Sequence, residues 1–458
     1  MAVNRALPAR GAFEGLQVDD VVEVTVGLVA HGGHCVARYD GRVVFVRHAL
    51  PGEQVLVRIT ETKRDSFCRG DAVEVLQASP GRREAPCAHF RPAVCGGCDF
   101  QHAEPELQRE LKASVICEQL ERLGGVEMAV TVEELPGGEF DWRTRVRWAT
   151  DRDGNVGPRV ARSHDVVALS PAAPCLIAAP GLTELALSPA VSELARRAQQ
   201  QVSPGTVPGK GHRGGRGRSH GQKLSDRPVT GGGRRDAEAE IVLTAAGDGS
   251  VLAAAAGMGL ASPSSHPAYP DTVTETVHGR AFDVAVDGFW QVHPAAASTL
   301  VDAVMGFVPD VQGGIAWDLY GGVGLFAAFL ADAVGPSGQV VSVEFDERAS
   351  ELAAANLRDV PQVQVVCGKV EDVITRLDRK ADVIVLDPRA PARAGSSAPL
   401  LPTATPPSLS MSPATPRRWA ATPERWTNWA TSSRRCVRST PSRRRRTWSA
   451  SRSLLGPE

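Results

Sequence analysis

The sequence predicts an α/β protein with a doubly wound parallel sheet, and three observations support this organisation. From about residue 271, strand-like segments such as AWDLYGG alternate with helix-like segments such as GLFAAFLADAV. Strands that alternate with helices form parallel sheets, in which ligands bind at the carboxyl ends of the strands. Residues 16–78 instead alternate apolar and polar side chains over short segments, as in a small β-barrel or sandwich. A cysteine cluster lies between these two regions.

Charge is unevenly distributed along the 458 residues. The formal net charge is −1, yet residues 389–458 contain 13 Arg, no Lys and only two acids, so residues 1–388 are acidic. An acidic surface repels a phosphate backbone. Any contact of the folded part with nucleic acid must therefore come from local basic patches.

Targeting signals and cysteine usage predict a cytoplasmic protein. The N-terminal segment MAVNRALPARGAF contains no apolar core of signal-peptide length, and no run approaches 18 apolar residues. We therefore expect no membrane partner. Nine unevenly spaced cysteines fit a reducing compartment, where clustered cysteines bind metals or act in catalysis.

Two segments that follow the predicted barrel differ in pattern. Residues 101–123 place six apolar side chains at helical spacing, which predicts an amphipathic helix with Cys117 in its core. Residues 200–236 are rich in Gly and Arg and lack periodicity. Such a composition cannot bury a core, so we predict a disordered insertion; contact of this tract with RNA is the alternative.

The cysteine cluster occupies the segment CAHFRPAVCGGC. Cys87, Cys95 and Cys98 lie within twelve residues, and the Cys-Gly-Gly-Cys spacing lets two sulfurs face one metal. Cys175, in the Pro-rich segment SPAAPC, is the best candidate for a fourth ligand. Zinc and a 4Fe-4S cluster both use four cysteines, and the spacing does not choose between them. Unrelated buried thiols are the structural alternative, and the two histidines that flank the cluster are expected at the surface.

The segment IAWDLYGGVGLFAAFLA is typical of a strand, a Gly-rich turn and a helix. Gly322 and Gly324 let a ligand approach the backbone, and Glu344 ends the next strand, where a carboxylate can accept both hydroxyls of a ribose. Alone, the turn also fits a dinucleotide. Asp318, which precedes the glycines, would repel a pyrophosphate but suits the cationic ligand S-adenosylmethionine. Asp387 ends a later strand and would line the substrate side of the same pocket, or else cap a helix.

Together these motifs resemble the S-adenosylmethionine-dependent RNA uracil-5-methyltransferases, a family that includes iron–sulfur 23S rRNA and tRNA enzymes. The resemblance covers roughly residues 16–388. It implies an RNA-binding, OB-like TRAM barrel at 16–78, a central α+β domain with an iron–sulfur site at 79–270, and a Rossmann-like methyltransferase domain at 271–388. The segment DWRTRVRWA resembles a basic part of the central domain. Its three arginines would face either RNA or solvent: Arg143, Arg145 and Arg147.

The resemblance also implies roles for individual residues. The 4Fe-4S ligands would be Cys87, Cys95, Cys98 and Cys175, although the gap between the first two is longer than in many members. The residues that bind S-adenosylmethionine would be Gln291, Tyr320, Gly322, Gly324, Glu344 and Asp387. His293 stands where the family has Asn. The expected partner is structured RNA, with no obligate protein partner.

The segment after Pro388 departs from this family. Its members activate uracil C5 by adding a Cys thiolate to C6, and a Glu then removes the C5 proton. Residues 389–458 contain neither of the two motifs that supply these groups. Regrouping the codons of this segment in one shifted frame permits Cys-Asp-Pro and then His-Val-Glu, in the family's order. We therefore predict a disordered, frameshifted tail, and a polypeptide that is inactive as written; a natural basic RNA-binding tail is the alternative.

The sequence leaves three functions open. The first is a C5-uridine methyltransferase acting on rRNA or tRNA. The second is a non-catalytic remnant that binds RNA or cofactor. The third is an NAD-dependent oxidoreductase with a four-cysteine metal site.

Overall fold

The computed structural model describes residues 15–63, 67–202, 239–255, 259–261, 271–377, 380–388 and 408–411. Most of the predicted Gly/Arg-rich insertion and most of the predicted tail lie outside these residues. Four residues of that tail form a strand, which the prediction of disorder did not anticipate. Within the described ranges, no helix is long and apolar enough to cross a membrane.

The N-terminal region is a closed five-stranded barrel with strand order β1-β2-β3-β5-β4. Its strands are β1 Val21–Ala30, β2 His34–Tyr39, β3 Arg42–Arg47, β4 Gln54–Lys63 and β5 Phe67–Gln77. Side chains alternate between the two faces of a strand, so Val44, Val46 and Val57 fill the interior. β3 pairs with β5 in parallel, and the other neighbours pair antiparallel. Because the sheet closes on itself, it has no free strand edges. Of the two predicted architectures, barrel and sandwich, the structure therefore has the barrel.

Helix α1, Pro105–Gly124, packs against the barrel through Leu111. Pro105 starts the helix, and Gly125, with φ of 62°, ends it in the left-handed conformation. The predicted apolar stripe is only partly used, because Leu111 alone is buried. Cys117 is half-buried, contrary to the core position expected for it.

The central region contains a second sheet, of order β10-β9-β8-β6-β7. Its strands are β6 Arg145–Thr150, β7 Val156–Gly157, β8 Glu240–Ala245, β9 Val251–Ala255 and β10 Gly259–Ala261. Helices α2, Leu182–Ala186, and α3, Pro189–Val202, lie on this sheet. Trp148, Leu182 and Ile241 are buried in the shared core.

A hairpin of β11, Thr272–Val277, and β12, Arg280–Ala285, follows. Arg145 reaches from the central sheet into this region, where it donates to the carbonyl oxygens of Ala285 at 3.2 Å and Gly288 at 2.8 Å and lies 3.4 Å from Glu275. The expectation that Arg145 faces RNA or solvent is wrong, because its side chain is 6% exposed. A cation so buried is held by its carboxylate and carbonyl partners.

The last region is a parallel sheet of order β15-β14-β13-β16-β17. Its strands are β13 Ile315–Leu319, β14 Gln339–Glu344, β15 Val363–Cys367, β16 Val383–Leu386 and β17 Ser408–Met411. The helices are α4 Ala296–Phe307, α5 Leu325–Val334, α6 Glu347–Asn356 and α7 Val370–Val373. Apolar clusters cover both faces of the sheet. This doubly wound arrangement confirms the predicted fold class, whereas the exact domain boundaries stay a prediction.

Candidate functional site

The glycine turn, residues 320–324, joins β13 to α5. Tyr320 has φ of 68°, and both its N–H and that of Gly321 donate to the carbonyl oxygen of Val343, at 2.9 and 3.0 Å. The Tyr320 side chain packs against the apolar cluster that contains Trp317 and Leu319. The backbone is thus fixed against β14 before the helix begins, which keeps the first N–H groups of α5 at the carboxyl end of the sheet.

The three glycines of this turn serve different purposes. A Cβ on Gly321 would come within 2.3 Å of Ser342 Oγ, and one on Gly324 within 2.7 Å of Leu357 Cδ1. These two positions therefore need glycine for packing. Gly322 has φ of 56° and faces open space. Of the glycines predicted to approach a ligand, Gly322 is the one that leaves room for it.

Three carboxyl groups gather around the glycine turn, from the ends of β13, β14 and β16. Asp318 is fully buried, and its Oδ2 accepts a 2.9 Å hydrogen bond from the N–H of Ala327. Burial raises the pKa of Asp318 to about 7, with further contributions from Asp387 and Glu344 and against the effect of the Ala327 bond. Burial also raises the pKa of Asp387. Such a cluster of acids favours a cationic ligand.

Glu344 closes the turn from the neighbouring strand. One of its carboxylate oxygens accepts from the N–H of Gly322 at 3.0 Å, and the other accepts from the N–H of Asp346 at 2.8 Å. The side chain is buried, with 7% exposure of the residue. A carboxylate has about four acceptor positions, so Glu344 retains capacity for two hydroxyl groups.

The segment that contains Gln291 is attached to the central region. Both the N–H and the hydroxyl of Thr144 donate to the carbonyl oxygen of Val292, at 2.7 and 3.0 Å. The rings of Trp142 and His293 stack with centroids 5.9 Å apart. Gln291 itself is half-buried, and among the described residues no hydrogen bond joins its side chain to the glycine turn. The other predicted cofactor residues lie at the glycine turn or at the strand ends beside it, whereas contact of Gln291 with the cofactor stays a prediction.

The four predicted cysteine ligands lie in two loops, residues 87–98 and 173–178, called here the cysteine loops. His89 Nε2 lies 3.0 Å from the carbonyl oxygen of Ala173 and so connects them. The Cys95 and Cys175 side chains pack against the same apolar cluster.

The four thiols also influence one another electrostatically. Burial raises the pKa of Cys98 to about 11, opposed by a hydrogen bond from Gln101, and the three other thiols raise it further. Burial and then neighbouring thiols likewise raise the pKa of Cys175, although backbone N–H groups oppose this. Thiols that stay protonated in the folded chain are the ones that a metal must deprotonate on binding.

Two side chains that sequence reasoning missed support the cysteine loops. The Gln101 amide donates to Cys98 Sγ at 3.2 Å, and its oxygen accepts from the N–H of Cys87 at 3.2 Å. Arg47 of the barrel donates to the carbonyl oxygen of Cys98 at 3.2 Å. The flanking His102 is 3% exposed, so its predicted surface position is wrong. In the described part of the chain, no three His, Cys, Asp or Glu side chains form a group placed to hold a single metal ion.

Comparison with known proteins places these sites in a family. The TRAM domain family matches residues 16–73. A protein of Streptomyces avermitilis described as an uncharacterized RNA methyltransferase is 42% identical over 388 residues, which cover 80% of this chain and 82% of that protein. A second such protein, from Streptomyces coelicolor, is 41% identical and covers 81% of this chain and 79% of its own length.

The chain belongs to this family of RNA methyltransferases. The predicted enzyme class, a class I S-adenosylmethionine-dependent RNA methyltransferase, is thereby confirmed. A 23S rRNA (uracil(1939)-C(5))-methyltransferase of Methylococcus capsulatus is 45% identical, over 26% of each chain.

A solved structure supports the fold of this RNA methyltransferase. The tRNA (uracil-54, C5)-methyltransferase of Pyrococcus abyssi, in complex with S-adenosyl-L-homocysteine, matches with a TM-score of 0.50 and 17% identity over 80% of this chain and 84% of that one. At this level of sequence identity, the match supports a shared architecture and no more.

Proposed function

We propose that this RNA methyltransferase lineage transfers the methyl group of S-adenosylmethionine to C5 of a uridine in structured rRNA or tRNA. Support for uridine comes from the names of the Methylococcus and Pyrococcus proteins, which act on uracil C5 in 23S rRNA and in tRNA. Support for the cofactor's position comes from the glycine turn. A base inside folded RNA would have to leave its stack to reach such a site.

The observation that carries the proposal is the meeting of three carboxyl groups beside an open glycine position. S-adenosylmethionine is a cation without phosphate, so the negative charge of Asp318, Asp387 and Glu344 would attract it. The same charge would repel a pyrophosphate. Glu344 would accept the ribose hydroxyls while it holds Gly322. For this reason the acid cluster disfavours the dinucleotide of the oxidoreductase alternative.

The roles of the other predicted residues follow from their places. Gly322 gives the ligand access to the backbone, and Tyr320 shapes the turn. Asp387 lies at the end of β16, where its N–H donates to the carbonyl oxygen of Leu319 at 3.3 Å, and would face the substrate side. Gln291 would reach the cofactor from the segment that Thr144 and Trp142 hold.

The chemistry needs groups beyond this pocket. Uracil C5 becomes nucleophilic enough to take the methyl group only after a thiolate adds to C6, and a base must then remove the C5 proton. Residues 389–458 lack the family motifs for both groups. We therefore propose that the chain as written binds its cofactor without completing methyl transfer.

We further propose a 4Fe-4S cluster on Cys87, Cys95, Cys98 and Cys175. The donor set suits such a cluster chemically, because four half-buried thiols lie near one another, so that Cys87, Cys95 and Cys175 raise the pKa of Cys98. Among the described residues they are not arranged around a single metal ion, so binding would have to draw them together. When bound, such a cluster supplies one-electron chemistry or a rigid covalent link between the loops. Iron, sulfide and zinc analysis of protein purified without oxygen separates the cluster from the zinc alternative.

One experiment tests the proposed activity. Two proteins are prepared, the chain as written and a version whose reading frame is shifted back after the codon of Pro388. Binding of S-adenosylmethionine is measured by calorimetry, and labelled methyl transfer is measured on uridine-containing rRNA and tRNA. We expect both proteins to bind the cofactor and only the frame-restored one to form 5-methyluridine. Methylation by the chain as written would overturn the inactivity, and a preference of both for NADH would overturn the proposed function.

A point variant sharpens the assignment of the pocket. Glu344→Gln removes the charge of a carboxylate that bonds the glycine turn, which should weaken cofactor binding by about 1.5–3 kcal/mol, or roughly 10-fold to 100-fold. Glu351→Gln is the matched control, because Glu351 is exposed on the following helix α6. Equal affinities of the two variants would show that Glu344 does not hold the ligand.

A further inference from the structure

Arg145 closes a turn at the start of residues 285–293, which we call the Gln291 segment. In this turn the N–H of Gly288 donates to the carbonyl oxygen of Ala285 at 2.9 Å. The Arg145 guanidinium donates to the same oxygen at 3.2 Å and to the carbonyl oxygen of Gly288 at 2.8 Å. Because Arg145 belongs to β6, a residue of the central sheet fixes a turn that follows the β11–β12 hairpin.

The two neighbours of Gln291 are anchored in different regions of the chain. Trp290 is buried in the apolar core beside the parallel sheet, where its ring centroid lies 5.9 Å from that of Phe282. Val292 is held instead by the central region, since its carbonyl oxygen accepts from both the N–H and the hydroxyl of Thr144. Thr144 directly precedes the arginine that closes the turn, so two adjacent residues attach the Gln291 segment at two points.

The stretch that carries these two residues is itself fixed. The N–H groups of Asp141 and Arg143 donate to the carbonyl oxygens of Leu176 and Ile177, at 2.9 and 2.7 Å. The carbonyl oxygen of Arg143 accepts from the N–H of Ala179 at 3.0 Å. A backbone that is bonded in this way and then continues into a sheet has little conformational freedom. It therefore gives the Gln291 segment a stiff support.

The chemistry of the buried pair favours a positioning role over a stabilising one. Arg145 is buried, and its guanidinium lies 3.4 Å from the half-buried Glu275, which also accepts from the N–H of Gly247 at 3.2 Å. Burial lowers the pKa of Arg145, and Glu275 opposes this effect. Taking two charges out of water is costly, and well-packed apolar residues often stabilise a fold as well or better. What arginine adds is a planar set of donors that can fix several acceptors at once.

We propose that Arg145 is a positioning residue for S-adenosylmethionine, which holds the Gln291 segment where Gln291 can contact the cofactor. This inference rests on the proposed function and deepens it, because it assigns part of the cofactor affinity to a side chain that the cofactor does not touch. Arg145 acts through Gln291. A change at Arg145 should therefore matter only while the Gln291 side chain is present.

The first test compares two arginines of one strand, each changed to lysine in the chain as written. Lysine keeps the positive charge beside Glu275 but lacks the planar fork that binds two carbonyl oxygens. Arg145→Lys should weaken binding of S-adenosylmethionine about 10-fold in calorimetry. Arg147→Lys is the matched control, because Arg147 is 58% exposed on the same strand, 3.6 Å from Glu240, and it should leave the Kd unchanged. Equal affinities of the two variants would overturn the proposal.

A double-mutant cycle with Gln291→Ala separates positioning from general damage to the fold. Gln291→Ala alone should weaken binding about 10-fold, and Arg145→Lys added to it should weaken binding by less than about twofold more. A merely structural role of Arg145 would make the two effects multiply, to about 100-fold. That result, or an unchanged Kd in Gln291→Ala, would overturn the proposal.

A variant without either buried charge covers the case in which the lysine variant folds poorly. Arg145→Met combined with Glu275→Gln leaves no unpaired ion in the interior. Its midpoint of denaturant unfolding should stay close to that of the wild type, while the Kd for S-adenosylmethionine should rise about 10-fold. Wild-type affinity in this variant would contradict the positioning role. The proposed function fails in a different way, when the wild-type chain prefers NADH to S-adenosylmethionine.

Discussion

The glycine turn and the cysteine loops are both candidate sites, yet the chain builds them in different ways. The glycine turn is fixed by backbone bonds to one neighbouring strand and by glycines at places where a Cβ would not fit. The cysteine loops are held by side chains from outside the loops, namely Arg47 of the distant barrel and the neighbouring Gln101. The first site depends on local backbone geometry, and the second depends on how separate regions meet.

The largest effect should follow from a change in the cysteine loops. Cys98→Ser removes one of the four thiols of the proposed cluster, and a protein that loses a metal ligand loses much of the energy with which a bound metal stabilises its fold. We expect loss of bound iron and destabilisation by more than about 4 kcal/mol, a size that point changes reach only through such mechanisms. Iron analysis and denaturant unfolding measure both.

Cys117→Ser is the control for that change, because Cys117 is a half-buried thiol on α1 outside the cysteine loops. It should retain its iron and lose less than about 1.5 kcal/mol, because the side chain is only half-buried. If Cys98→Ser kept its full iron content, the four thiols would not form one site.

A change in the glycine turn should have a smaller but more local effect. Gly324→Ala places a Cβ 2.7 Å from Leu357 Cδ1 in a residue with φ of 93°. Left-handed strain of about 1–2 kcal/mol and overpacking of about 1–3 kcal/mol add to a loss near 3 kcal/mol. Calorimetry should show weaker binding of S-adenosylmethionine as well.

Gly306→Ala gives the matched comparison. Gly306 lies in helix α4, and among the described residues no atom outside the helix backbone lies within 4 Å of the place that a methyl group would take. The same substitution should stabilise the protein there, by about 0.5–1 kcal/mol, because alanine loses less backbone entropy in a helix. Equal losses at both positions would show that the turn imposes no special conformation.

The contrast between the sites also explains what the sequence could predict. The strand, turn and helix around Gly322 follow from a contiguous pattern, and Glu344 and Asp387 follow from the rule that parallel strands end at one edge. The cysteine spacing predicted a four-thiol ligand set, which stays a prediction. Each of these inferences uses either residues close in sequence or the common direction of parallel strands in a sheet.

Other features depend on packing between regions, which no local pattern encodes. Arg145 looks like a surface cation on a basic strand until the hairpin supplies Glu275 and two carbonyl oxygens. His102 looks like a surface histidine until the barrel covers it. The role of Gly324 is decided by Leu357, which is far along the chain and arrives with helix α6. The polar residue three positions after Cys98, Gln101, is a signal too general to single out.

Acid should weaken the region around the cysteine loops. Burial lowers the pKa of His48 and of His102 to about 4, in each case with a further effect from a nearby arginine. The unfolded chain binds protons near the ordinary value of 6.5, so stability is full above that pH and falls as pH drops towards 4.

His102→Phe tests this dependence, because a phenyl ring can keep the stacking with Phe90, whose ring centroid lies 5.3 Å from that of His102. Unfolding measured between pH 7 and pH 4 should show a loss of about 3 kcal/mol from each of these two histidines in the wild type. The His102→Phe variant should lose less stability over the same pH range. An identical acid dependence in both proteins would assign the effect to other groups.

The smallest expected effect concerns the acids around the glycine turn. Burial raises the pKa of Asp318 from 3.8 to about 7, so the ligand-free chain favours the neutral acid and loses stability as pH rises between these values. A cationic ligand reverses the preference, because it interacts with the ionised form. Affinity for S-adenosylmethionine should therefore increase about threefold to tenfold from pH 6 to pH 8, or roughly 1 kcal/mol. Asp318→Asn cannot ionise and should reduce this slope, while Asp387 retains part of it. Calorimetric titrations at several pH values measure this pH dependence of affinity. An equal dependence in Asp318→Asn and the wild type would show that the cation does not lie near Asp318.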